Sequence, residues 1–187
     1  MRVTFSRLAD HEWADVLIER DDGVVYRMHA GPVTEHLPHD LVHFTVEEAL
    51  GMPDGIWGAI AGGAVFKSMT HVSGRRPPHA ADRSAALIRE HRALLQRAEL
   101  IGGFVERAAD LPDAELPHYV ATAPVGEVPR PTVDRVRTAV AALRAAQERW
   151  SALEVGDTLV VEWPVHRRMP PATRPRSARR EPARRRG

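Results

Sequence analysis

Five residues with chemical potential crowd into one short stretch: His36, His39, Asp40, His43 and Glu47. Pro38 can open a helix, because its missing N–H falls where helical N–H groups have no partner anyway. Gly51 and Pro53 then close it, which predicts a helix from Pro38 to Leu50. At about 100° per residue, Leu41, Val42, Thr45, Val46 and Ala49 gather on one apolar side. His39, His43 and Glu47 fall along the border of that side as a stripe with four-residue spacing. Side chains at that spacing stack on a helix, so two imidazoles and a carboxylate could converge on one metal ion. His39 lies in the first turn, where the positive end of the helix dipole disfavours imidazolium. A neutral imidazole is what a metal ligand or a general base requires.

The neighbouring candidates follow from position. Asp40 and Glu48 are the candidate proton acceptors, with Asp40 also placed to orient a histidine. His91 falls on the apolar spine of a second helical pattern running from Asp82 to about Ala109, where Leu87, Leu94, Ala98, Ile101, Val105 and Ala108 recur at helical spacing. An inward imidazole needs a hydrogen-bond partner or a metal, so His91 is the candidate that completes a three-histidine site. Glu90 and Glu99 are weaker alternatives on the same pattern. His36 and Trp57 are expected to line the pocket. Trp57 stands among Gly51, Gly55, Gly58, Gly62 and Gly63, in a short helix or compact loop over 55–66 whose glycines permit close packing.

The elements that must hold these residues alternate between strand and helix patterns. Residues 2–8, 13–19 and 24–29 read as three strands, the last two joined at Asp21-Asp22-Gly23. A polar connection over 70–79, a Pro-punctuated loop over 111–131, a helix from Thr132 to about Trp150 and a final strand ending at Trp163 complete the body. Strands followed by helices predict an α+β fold, in which a small antiparallel sheet (the N-terminal meander plus the C-terminal strand) packs against three to four helices in two layers. The domain is expected over residues 1–164, with a disordered Arg/Pro-rich basic tail over 165–187.

Composition removes several classes of function. The 187 residues include no cysteine, so disulfides, thiolate nucleophiles and cysteine metal ligands are excluded, and a reducing, cytoplasmic setting is expected. No leader pattern opens the chain, and the longest apolar run is too short and too rich in glycine to span a bilayer. No lysine follows the glycines at P-loop spacing, and neither G-x-G-x-x-G after a strand nor G-x-S-x-G is present. The net charge of +1 hides an acidic body and a basic end: nine arginines follow Val165 against Glu181 alone. Lys67 is the only lysine, a lopsided cation choice that fits a GC-rich coding bias.

The stretch from Leu37 to Glu47 (LPHDLVHFTVE), the segment GIWGAIAGGAVF over 55–66 and the Trp150…Leu153…Gly156…Leu159…Trp163 pattern together resemble a family of uncharacterised proteins from high-GC, actinobacterial-type bacteria. That resemblance implies a small stand-alone protein and transfers no activity. From the residues themselves, the leading expectation is a metal-dependent enzyme, hydrolytic in type, with zinc, manganese, nickel or iron held by His39, His43 and either Glu47 or His91. A non-enzymatic binding protein is the alternative, its basic tail making salt-sensitive contact with nucleic acid or an anionic surface. The third reading is metal-free acid–base catalysis on a small molecule, with His39 or His43 as the base oriented by Asp40 or Glu47; a small-molecule or peptide substrate is the partner expected of an enzyme here.

Overall fold

The computed structural model describes residues 1–9, 14–29 and 37–172. Five strands form one antiparallel sheet: β1 (Arg2–Arg7), β2 (Ala14–Glu19), β3 (Val25–His29), β4 (Met69–Ser73) and β5 (Thr158–Glu162). Their order is β4-β3-β2-β1-β5, so the meander is flanked on one side by β4 and on the other by the C-terminal strand. Alternation decides which face is covered. Val3, Phe5, Val16, Ile18, Tyr26, Met28 and Leu159 are buried on one side, while Arg2, Arg27 and Glu162 face out. At the β2–β3 turn Gly23 takes a left-handed φ of 77°, and the Asp22 carboxylate accepts from the N–H of Val24.

Among the described residues there are six helices: α1 (His39–Ala49), α2 (Ile56–Gly62), α3 (Ala80–Glu90), α4 (Arg92–Ala109), α5 (Leu116–Thr122) and α6 (Val133–Ser151). The α+β architecture expected from the sequence is therefore present. Pro38 precedes α1, and its carbonyl accepts from Leu41 and Val42. The helix ends as Gly51 turns left-handed, with Met52 N–H donating to Glu47 O and Gly51 N–H to Glu48 O. Toward the sheet, Phe44 of α1 meets the rings of Trp57 and Trp163 edge-on, and Trp57 meets Phe5. Away from the sheet, α1 packs against α4 and α6. With neighbours on both sides, α1 buries Leu41, Val42, His43, Phe44, Val46 and Glu47.

Three local expectations change. The polar stretch expected as a connection over 70–79 begins with β4, an edge strand whose exposed side chains mask any alternation; only Met69, opposite Met28, is buried. The single helix expected from Asp82 breaks at His91, whose carbonyl accepts from Leu94 and Leu95 as a new helix starts. The break lets the two parts bury different stripes: Leu87 joins Ala59, Ala64, Leu95 and Met169, while α4 packs on α1 and α6. The loop over 111–131 contains α5, where Pro117 sits at the helix start and the Tyr119 hydroxyl donates to Phe104 O.

The chain also continues along the body beyond Pro164. Trp163 pairs with Met1, Met169 is buried with its N–H on Gly58 O, and Arg167 donates to the carbonyl of Glu48. Gly62 makes room for this strap, since a Cβ there would lie 2.5 Å from Met169 O. Residues 173–187 of the expected tail, and His36, lie outside the described residues. Among the described residues, no helix is long and apolar enough to cross a membrane.

Candidate metal centre

Helix α1 supplies two imidazoles one turn apart. The rings of His39 and His43 lie 4.6 Å between centroids at 59° to one another. The third member comes from α4, where Glu99 Oε2 stands 3.2 Å from His43 Nε2. One ligand atom from each of His39, His43 and Glu99 lies within 4.8 Å of the others. Two ligands about 2.1 Å from a tetrahedral zinc stand roughly 3.4 Å apart. The His43–Glu99 separation is close to that edge, and His39, half-buried, brings the third donor within 4.8 Å.

Close approach of the two helices depends on Gly102. It lies one turn from Glu99 on the same face of α4, and a Cβ there would come within 2.5 Å of His43 Cε1. Glycine in a helix interior costs roughly 1 kcal/mol relative to alanine, and here the missing side chain is replaced by an imidazole. Gly102→Ala should therefore push His43 off Glu99 and weaken metal affinity by at least about tenfold. Calorimetric titration checks this, and unchanged affinity would remove the packing role given to Gly102.

The electrostatics of the trio are set by burial and pairing. His43 is 3% exposed. Burial works to lower its pKa, yet the hydrogen bond with Glu99 and the charges of Glu99, Glu47 and Asp40 outweigh it, so the net direction is up. Glu99 is held below the usual carboxylate range by the same hydrogen bond, against its own partial burial, with further help from the charges of His43 and His39. A site that favours positive charge on His43 favours a proton or a metal cation alike. Nδ1 of His43 is buried and meets no hydrogen-bond partner among the described residues.

Glu47, expected as the third ligand, is used elsewhere. Its carboxylate turns to the start of α2, where Oε1 accepts from Ile56 N–H at 2.8 Å and Oε2 from Trp57 N–H at 2.9 Å. Gly55 permits this, because a Cβ there would sit 2.4 Å from the Glu47 carboxyl carbon. Burial pushes Glu47 up to about 7, while the two N–H donors and the charge of His43 pull it down.

The remaining candidates separate from the trio. His91 stands at the α3–α4 break, half-buried, with Nε2 lacking a hydrogen-bond partner among the described residues, and it is not part of the metal-competent group. Trp57 is fully buried in the core rather than lining a pocket, and its Nε1 donates to Asp40 O. Asp40 remains in the first turn of α1, close enough for its charge to act on His43. Glu48 points to the C-terminal strap, 3.5 Å from Arg167 Nη1. The carboxylate that completes the group, Glu99, ranked behind Glu47 and His91 on sequence. The available signal was Gly102, a gap one turn from an acid on a helix otherwise dense with apolar residues.

Comparison of the chain with protein-family models, with curated proteins and with solved structures gives no match in any of the three.

Proposed function

We propose that this protein binds one divalent transition-metal ion through His39, His43 and Glu99 and uses it for hydrolysis. The observation that carries the reading is the meeting of two imidazoles and a carboxylate from separate helices. Donors of this kind suit zinc, manganese, nickel or iron. Three protein ligands leave a coordination position for water or substrate, the pattern of catalytic rather than structural sites. An ion held there would bring the pKa of a bound water to about 7. Asp40, in the first turn of the same helix, is the group proposed to take the proton. The substrate is proposed to be a small molecule or peptide, and the absence of cysteine favours a cytoplasmic setting.

The test is titration of chelator-treated protein with Zn²⁺, Mn²⁺ and Ni²⁺. About one equivalent should bind, with proton release as His43 gives up its proton. Glu99→Gln should weaken binding by roughly ten- to a hundredfold. Failure of all three ions to bind rejects the metal reading. The 3.2 Å His43–Glu99 pair would then favour the second reading, metal-free acid–base chemistry. Hydrolysis itself is checked with ester, phosphoester and peptide substrates, where chelator should abolish turnover.

A further inference from the structure

Two adjacent glycines follow Glu99 on α4, and each lies under a different side chain. Gly102 receives the imidazole of His43, whose Cε1 stands 2.5 Å from where a Cβ would be. Over Gly103 lies Arg107, with Nη1 3.4 Å from the corresponding Cβ position. Long side chains on a helix lean toward its N-terminus, so Arg107 folds back along the turn that leads to Glu99. Residues 99 and 103 are neighbours on one helix face, with Cβ positions about 5–6 Å apart, which puts Arg107 Nη1 within about 9 Å of Glu99 Cβ.

The line from Glu99 through Gly103 to Arg107 is open to solvent. Glu99 is half-exposed, Gly103 is partly exposed and Arg107 is exposed. Arg107 makes no hydrogen bond or ion pair with another described residue, whereas Arg97 of the same helix pairs with Asp54, and Arg144 with Asp113. Glu106 adjoins Arg107 in sequence, but successive residues on a helix do not face one another. The missing side chain at Gly103 thus leaves a shallow slot between an acid of the metal-competent group and a cation without a protein partner.

We infer that this slot receives the substrate and that the substrate is an oxyanion: a small ester or amide bearing a carboxylate, or a phosphoester. The inference rests on the metal reading above. Two neutral imidazoles and one carboxylate leave a divalent ion with net positive charge, and Arg107 adds a second positive centre along the slot. A guanidinium presents paired N–H donors that match two oxygens of a carboxylate or phosphate, in bonds about twice as strong as neutral ones. A neutral substrate gains nothing from that fork. Arg107 is therefore a specificity-determining residue, which selects and orients the anion and takes no part in bond cleavage.

The experiment loads the chelator-treated chain with Co²⁺, whose visible absorption reports metal binding and any new ligand. Inorganic phosphate, succinate and, as the neutral ligand, imidazole are then titrated in. Arg107→Ala should weaken phosphate or succinate by at least about tenfold, with Co²⁺ affinity, imidazole affinity and melting temperature unchanged. The anion with the larger loss separates a phosphoester from a carboxylate-bearing substrate. The control, Arg149→Ala, removes the exposed and likewise unpaired arginine from the last turn of α6 and should change anion affinity less than about twofold. Equal losses in both variants would reduce the effect to net charge and overturn the inference while the metal site stands. So would loaded wild type that binds neither anion, or an Arg107→Ala protein with undiminished anion affinity, which would leave Arg107 only its place at the negative end of the helix dipole. If no Co²⁺ binds, the metal reading itself fails and this inference falls with it.

Discussion

His43→Ala should lower affinity for a divalent transition metal by at least about a hundredfold. His43 is the hinge of the trio: it lies one turn from His39 and hydrogen-bonds Glu99 across the helix interface. Removing it leaves two ligands on different helices with nothing buried between them, and Gly102 facing an empty space. A second signature accompanies the loss. Glu99 is held low chiefly by His43, so its titration in the variant should move up toward ordinary carboxylate values, which carbon-detected NMR of the side chain records. Because His43 is buried, the variant is also expected to unfold more readily. His39→Ala, at a half-buried position, separates folding from binding and should weaken the metal while leaving the melting temperature nearly unchanged. In the wild type, protons and metal compete for His43. Its raised pKa means that affinity falls as pH drops into its titration range and climbs until the ring is neutral. Wild-type affinity in both variants would eliminate the site.

Glu47→Ala should cost about 3–5 kcal/mol of stability, measured by denaturant unfolding. The carboxylate is 1% exposed and is the hydrogen-bond acceptor for Ile56 and Trp57 N–H at the start of α2. Alanine leaves both donors without that acceptor and opens a void beside Trp57. A loss below about 1 kcal/mol would show that α2 does not depend on this acid. Glu47 also imprints a pH dependence. Its folded-state value of about 7 lies above the ordinary 4.5, so the folded protein holds this proton more tightly than the unfolded chain. The contribution is complete below 4.5 and is lost as pH rises through 7, amounting to about 3 kcal/mol. His43, also raised, acts in the same sense at higher pH, whereas Glu99, lowered, contributes above 4.5 and loses its share as pH falls. Glu47→Gln keeps the shape without the titration, so it should flatten the stability profile between pH 4.5 and 7.

What sequence could show of the site is the part written along one helix. Pro38, Gly51 and the four-residue histidine spacing locate α1 and the His39–His43 pair. The phase of the stripe puts it at the edge of a core, which holds for the sheet side alone. A second layer, α4 and α6, covers the opposite side, and so His43 and Glu47 are buried instead of bordering water. Nothing within residues 38–50 announces that layer. The fate of Glu47 was hidden for a related reason: four-residue spacing says which side chains are neighbours, while a better partner, two free N–H groups beside Gly55, waits past the helix end. Glu99 sits 56 residues after His43, beyond any local pattern. The sheet was easier, because alternation and the Asp-Asp-Gly turn are local signals, and β4 escaped because an edge strand exposes most of its side chains.

The pairing of β1 with β5 has a consequence for how the protein comes into being. Val3 lies beside Val161, and Met1 beside Trp163, so the seam that completes the sheet joins the first of the described strands to the last. The β1–β2–β3 meander can assemble early from neighbours in sequence, but its outer edge at β1 stays open through the synthesis of all the described helices, which lie between β3 and β5 in sequence. Contacts between such distant residues form slowly, and an unpaired strand edge is sticky in the interval. Newly made chains should accordingly depend on chaperones until the stretch around Trp163 and Met169 emerges and closes both the sheet and the strap across α2.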